Sequence, residues 1–477
     1  MHFQIMGLLT LVLGAAALYM PPVWSFLFMF ASTVFGSAAA FNLSGLGGAS
    51  VLVPNLFLVF FCIRIIMSCG EGRVFAAFVP PRIGFFLLTL TIFGLVTAVF
   101  FPRLFAGMAE TMVVERQVGA RSFIALTPLR FSSNNITQTV YAIGGLLCFG
   151  CTFAWFRREG IATSLVTALI ATTTINLAFA VADILTYYSR TEWLMGFVRT
   201  ANYALLTGAE KGGLKRISGT FPEASAFADY TLVFFAAISS LWLDGIRTRV
   251  TGILALSLLA ALLLSTSATA LVGVAAVMPF LLLRAIRGRH ALAITVGAAA
   301  LPLVAIIVVV ALPDMAAGLH DFLDEMVLSK ADSQSGRERF MWNAVAYESF
   351  VNTYGFGAGL GSARASSFVL VLLSNLGVVG TMIFVIFAIA VFTARLPKYD
   401  PERNEDIAAV RAAKLGFYAV LVTATISGTV YDLGLTFYIL AGGVAALSLP
   451  RSVSRPAHNN PAFRFAGAHQ DAAQARS

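Results

Sequence analysis

Apolar runs recur along almost the whole chain, near 4–20, 23–41, 50–67, 83–102, 137–156, 161–186, 224–242, 250–265, 267–284, 291–312, 367–393, 415–430 and 432–449. About 20 such residues carry a helix across a hydrocarbon core, where every backbone N–H and C=O must find its partner inside the segment. Repetition at that length predicts an all-α, polytopic helical membrane protein with about 12–14 transmembrane helices. Composition agrees. Of 477 residues, 58% are apolar and 12% charged, with 41 Phe against 32 Lys plus Arg; soluble domains carry about 25% charged residues. Mean hydropathy is +0.85, and a soluble enzyme is excluded. Pro21-Pro22 and the Gly45–Gly48 stretch mark tight turns or a broken, re-entrant segment. Residues 1–20 lack a basic n-region and an Ala-x-Ala-like site, so they are read as a retained helix.

The net charge of +9 would suggest nucleic acid in a soluble protein, but the cations fall in short clusters between apolar runs. A nucleic-acid partner is discarded. The clusters are Arg73 and Arg82; Arg157 and Arg158; Arg247 and Arg249; Arg284, Arg287 and Arg289; then Arg395, Lys398, Arg403, Arg411 and Lys414. Basic residues in short loops mark the cytoplasmic side. Residues 451–477 read as a disordered cytoplasmic tail, low in apolar residues. With about 13 spans and that tail, the N-terminus faces outward unless the first pair is miscounted. Three long loops, 103–136, 187–223 and 313–366, then lie outside within one membrane domain, 1–450, and function is expected there. Cys62, Cys69, Cys148 and Cys151 sit in or beside apolar runs and read as small packing residues, not as a metal site.

Ionisable groups in or at the ends of spans are expensive, and here they are few: Arg64, Asp183, Glu223, Asp229 and Asp432. They show no matching positions in two halves, which weighs against an ion-coupled transporter. The segment Lys215 to Ser225 brings two cations, hydroxyls and a carboxylate to the re-entry of the second loop. Arg216 offers a planar fork suited to phosphate oxygens. Glu223 reads either as a base whose pKa partial burial raises or, with Ser225, as a helix cap. The third loop carries Arg337, Arg339 and Trp342, then Gly355, Gly357, Gly359 and Gly361, then Arg364. Helical spacing of Phe340, Ala344, Tyr347 and Val351 predicts a helix over 337–351, which could simply lie at the lipid interface. The arginines either neutralise a diphosphate or pair with Asp321, Asp324, Glu325 or lipid headgroups. The glycine run permits close backbone approach but does not match a nucleotide phosphate loop.

At these residues the chain resembles the O-antigen polymerase (Wzy) and O-antigen ligase superfamily. Gly336-Arg337, Trp342, the run Tyr354 to Ser362 and Asn375 to Gly380 are similar to its arginine and tryptophan followed by a G-x-G-x-G loop and a glycine-bracketed span. Arg216 to Ser225 is similar to the R-x-x-G-x-F-x-E-x-S pattern of exopolysaccharide polymerase-like members. The likeness covers roughly residues 50–450. Where ligases carry a histidine, the chain reads Arg364-Ala365-Ser366-Ser367, and Glu210 and Glu348 stand where R-x10-G motifs would need glycine. The resemblance implies a metal-independent polymerase without cofactor. It implies transfer of a glycan from an undecaprenyl-diphosphate carrier to the hydroxyl of another lipid-linked repeat unit, outside the cytoplasmic membrane. The alternatives are a ligase or a non-enzymatic transporter. Membrane lipids, a chain-length regulator and a flippase are the expected partners. Arg216 and Glu223 are the expected catalytic pair; Lys215, Arg337, Arg339, Arg364, Trp342, Gly357, Gly359 and Gly361 are expected to bind diphosphate or substrate.

Overall fold

The computed structural model describes residues 2–43, 49–115, 123–158, 162–203, 205–211, 214–286, 334–397 and 404–450. Its helices are α1 Ile5–Tyr19, α2 Pro22–Ser32, α3 Val53–Cys69, α4 Glu71–Phe75, α5 Ile83–Leu104, α6 Ser133–Phe156, α7 Ala162–Tyr188, α8 Ala224–Leu243, α9 Thr248–Leu264, α10 Ala268–Ile286, α11 Gln334–Asn352, α12 Phe368–Thr393, α13 Asn404–Ser427 and α14 Leu435–Leu447. The protein is an all-α polytopic membrane protein. Among the described residues, seven helices are long and apolar enough to cross a membrane: α5, α6, α7, α8, α10, α12 and α13. An eighth arises if α3 and the segment after its 108° bend at Gly70 count as one. Among the described residues, the bent pair and the shorter apolar helices α1, α2, α9 and α14 together bring the number to the lower end of the predicted 12–14. The run 291–312, the acidic residues Asp321, Asp324 and Glu325, and the tail 451–477 lie outside the described residues.

Burial orders the bundle. The apolar windows of α8 and α13 are 72% buried, against 33% for α10, so α8 and α13 form its centre. The α6–α14 pair packs beside them, and an aromatic cluster joins α12, α13 and α14: Phe417 stacks on Phe437 at 4.7 Å between centroids, with Phe387 against both. Such pairs add about 0.5–1.5 kcal/mol each beyond the area they bury. All four cysteines are free and buried, on α3 and α6.

At one end of the bundle the cations close the helices. Arg157 donates to the carbonyls of Ala446, Leu449 and Pro450. Asp244 pairs with Arg284 at 2.7 Å and Arg411 at 3.0 Å. Cations belong there, because helix C-termini carry the negative end of the dipole. Arg64, flagged as an intramembrane charge, donates through Nε and Nη2 to Met20 O at 3.1 and 2.8 Å. It thereby closes the turn between α1 and α2, which at about 22 and 16 Å are too short to span a core of about 30 Å singly.

The opposite end carries the long connections. Strands β1 His2–Phe3, β2 Ala39–Leu43 and β3 Ala49–Leu52 form an antiparallel sheet there. Segment 198–220 closes on it: Ser37 O accepts from Thr200 N and Ala201 N, and Ser37 N and Oγ donate to Thr220 O at 3.0 and 2.6 Å. In the first long loop an antiparallel pair of six-residue strands, β4 Glu110–Glu115 with β5 Phe123–Pro128, stands where the sequence predicts only a loop. In the second loop the two-residue strands β6 Glu210–Lys211 and β7 Leu214–Lys215 lead into α8.

Candidate functional site

The second long loop returns to the bundle through a buried charge network. Asp183, in the last two turns of α7, receives Arg199 Nη2 at 2.6 Å on Oδ1. Its Oδ2 receives Lys215 Nζ at 3.4 Å, Ser218 N at 2.8 Å, Ser218 Oγ at 3.1 Å and Gly219 N at 2.9 Å. Arg199 also donates to Gly219 O, through Nε at 3.0 Å and Nη2 at 2.6 Å. The side chains of Asp183, Arg199 and Lys215 are 2%, 8% and 1% exposed. Lys215 was expected to bind diphosphate. Instead its ammonium is consumed by Asp183, by Thr207 O at 2.6 Å and by Arg216 O at 2.7 Å. Burial pulls the Lys215 pKa down, and Asp183 opposes that pull. Two cations on one carboxylate leave the network with an excess positive charge.

Arg216 follows immediately and is differently placed. Its Nε donates to Ser265 O at 3.4 Å, at the turn after α9, and its Nη atoms have no partner among the described residues. Burial lowers its pKa and Glu223 opposes this through space, but a guanidinium remains charged. Glu223 occupies the N-cap position of α8, where its carbonyl accepts from Phe227 N; its carboxylate accepts from Ser225 Oγ and caps no helix N–H among the described residues. Three helices bring further groups to the same region, α8 with Asp229, α11 with Arg339 and α13 with Ser427. Asp229 accepts from Ser427 Oγ at 2.9 Å on Oδ2 while its Oδ1 is buried without a partner among the described residues. Arg339 on α11 lies within electrostatic reach of Asp229, as does Glu223, and makes no hydrogen bond or ion pair among the described residues. The structure therefore gathers Arg216, Glu223, Asp229 and Arg339 around the N-terminal half of α8 and the end of α13.

The glycine loop is a separate construction. Gly357, Gly359 and Gly361 have φ of +84°, +97° and +84°. A Cβ there would meet Gly377 N at 2.6 Å, Thr97 O at 2.5 Å and Asn134 O at 2.7 Å. Protein backbone fills the space a Cβ would take at each. The N–H groups of Ala358 and Gly359 donate to Ser374 O and Asn375 O, and those of Gly361 and Ala363 to Asn375 Oδ1. These donors are spent on α12, which gives the three glycines a packing role, while Gly361 also lines the small cavity beside Arg364. Arg364 Nη2 donates to Thr429 Oγ1 at 2.8 Å, in the connection between α13 and α14. It lines a small cavity with Asn134, Gln138, Asn375 and Tyr431. Asp229 and Arg364 thus bond to positions two residues apart, Ser427 and Thr429, at the end of α13. Arg337 is exposed in the first turn of α11, and Trp342 is half-buried further along it.

Sequence reasoning does not single out Arg199 or Asn135, and it brings in Asn375 only as the start of the glycine-bracketed segment. Asn135 Nδ2 donates to Leu360 O and Ser362 Oγ at 2.8 Å, pinning the loop from α6 as Asn375 does from α12. The available signal was polarity at the edge of apolar runs, which many surface residues share. Family models, curated sequences and solved structures offer no match to this chain.

Proposed function

We propose that the chain is a polysaccharide polymerase of the bacterial cytoplasmic membrane, with its site on the periplasmic side. It moves a glycan from an undecaprenyl-diphosphate carrier to the hydroxyl of a second lipid-linked repeat unit. The observation that carries this reading is the pair of cations, Arg216 and Arg339, whose guanidinium Nη groups have no partner among the described residues. They stand beside two carboxylates, Glu223 and Asp229, and a network of net positive charge. Unpaired charge held in a half-buried site is costly unless a ligand completes it. A diphosphate would do so, since its oxygens match the guanidinium forks.

In this mechanism the acceptor hydroxyl attacks the anomeric carbon, the bond to the diphosphate oxygen breaks, and undecaprenyl diphosphate leaves with the bonding pair. Arg216 and Arg339 neutralise the charge that grows on the leaving group, a kind of stabilisation whose removal costs about 10²–10³-fold in rate. Glu223 orients the hydroxyl and takes its proton. The test is deletion of the gene in its native host, complemented with wild type, Arg216→Ala or Glu223→Gln, reading surface polysaccharide and lipid-linked intermediates by gel and mass. Single lipid-linked repeats should accumulate without long polymer in the deletion and with Arg216→Ala. Glu223→Gln keeps shape and hydrogen bonding but cannot take a proton, so retained polymer would remove the base role. Long polymer left on its carrier would mean a ligase, and unchanged glycans would remove the enzyme reading.

A further inference from the structure

We propose that Asp183 is the positioning residue for Arg216: its buried carboxylate fixes the 215–219 backbone and thereby holds the Arg216 guanidinium within reach of Glu223. This rests on the diphosphate reading above. Arg216 is held on every side except its fork. Its N–H donates to Ala209 O at 3.1 Å, its carbonyl receives Lys215 Nζ at 2.7 Å, and two and three residues on, Ser218 N and Gly219 N both donate to Asp183 Oδ2. Gly219 has a φ of +55°, so the chain turns sharply at the point where Asp183 grips it. The same carboxylate keeps the two cations compatible. Without its charge, Arg199 and Lys215 would face one another with nothing between them, and Lys215 would release Arg216 O. A carboxamide retains the size of Asp183 but loses both the charge and one acceptor oxygen. Asp183 touches no substrate in this arrangement; it acts through Arg216 alone.

That last clause separates positioning from general support, and a double-mutant cycle tests it. The probe is inorganic pyrophosphate, titrated calorimetrically into the purified full chain in detergent, for wild type, Asp183→Asn, Arg216→Ala and the double variant. Asp183→Asn and Arg216→Ala should each weaken binding about tenfold, the loss expected for a hydrogen-bonded charge, and the double should bind no more weakly than Arg216→Ala. Additive losses, or an Asp183→Asn protein that binds like wild type while Arg216→Ala does not, overturn the proposal. If Asp183→Asn does not accumulate in the membrane, Asp183→Glu replaces it with the same expectations, since it keeps the charge and displaces the carboxylate by one methylene. If wild type and Arg216→Ala bind pyrophosphate alike, the diphosphate reading falls, and the positioning role is decided by phenylglyoxal modification of Arg216 followed by peptide mass spectrometry. A changed rate in the Asp183 variant supports positioning, and an unchanged rate overturns it.

Discussion

Two cations share the single buried carboxylate of Asp183, so the residues of this network should differ in what their loss costs. Removing the carboxylate leaves two buried cations, whereas removing Lys215 leaves a balanced Asp183–Arg199 pair at 2.6 Å. Breaking a buried pair by deleting one partner costs about 3–5 kcal/mol. Asp183→Ala should reach that range, while Lys215→Met should fall clearly below it; thermal melting in detergent checks the order, and a reversed order would mean the excess charge is not felt. Asp432, buried in the connection between α13 and α14, gives a pH test. Burial pushes its carboxyl above the usual range, against the Gly434 N–H that donates to it at 3.1 Å. The fold then binds the proton more tightly than the unfolded chain, so its penalty is absent below about pH 4 and grows as pH rises through the folded value. Asp432→Asn should raise the melting temperature at neutral pH, with the gain shrinking toward pH 4. A pH-independent gain would show that the charge is not the cause. None of these pairings was legible in the sequence, because Asp183, Arg199 and Lys215 are far apart along it and only the folded loop brings them together.

At the scale of elements, hydropathy located the helices well where they are apolar and poorly where they are not. The expectation of a helix over 337–351 is met by α11 at Gln334–Asn352, read from spacing and not from hydropathy. In contrast α13 begins at Asn404, well before the apolar run near 415, because Glu405, Asp406, Arg411 and Lys414 keep its first turns polar. The pair of β4 and β5 was missed for a similar reason, since strands of six residues leave little room for a period-two pattern. The most specific element is α12, broken at Gly377, where φ is +63° and ψ −165°, a region open essentially to glycine alone. Its added Cβ would lie 2.3 Å from the carbonyl oxygens of Gly355 and Phe356. Gly377→Ala should therefore cost more than the about 1–3 kcal/mol of backbone strain, and should displace the glycine loop. Gly434 also has a positive φ, +80°, but nothing lies within 4 Å of its Cβ position. Gly434→Ala should lower the melting temperature less, and equal losses would show that strain dominates over the backbone contact.

At the scale of the whole molecule, the two ends differ in a way that labelling can orient. The first strand pairs with β2, so the N-terminus shares the end of the bundle that carries segment 198–220 and Arg216. Pro450, gripped by Arg157, lies at the end with the basic turns. This agrees with the expectation of an outward N-terminus if the basic end is cytoplasmic, as short basic loops predict. Several cations also occupy the loop end, Arg199, Lys215 and Arg216 among them, but they belong to a long folded connection, which bears little on orientation. Because the four native cysteines are buried, a membrane-impermeant maleimide should label introduced ones over a low background. In intact spheroplasts Gln4→Cys and Trp193→Cys should react, and Pro450→Cys should react only after the membrane is opened. Gln4→Cys and Pro450→Cys reacting from the same side would contradict the fold, since it separates them by the length of the bundle. Pro450→Cys alone reacting in intact spheroplasts would keep the fold and invert it, turning Arg216 and Glu223 toward the cytoplasm. Polymerisation outside the membrane would then have no site, and the proposed function would fall while the architecture stood.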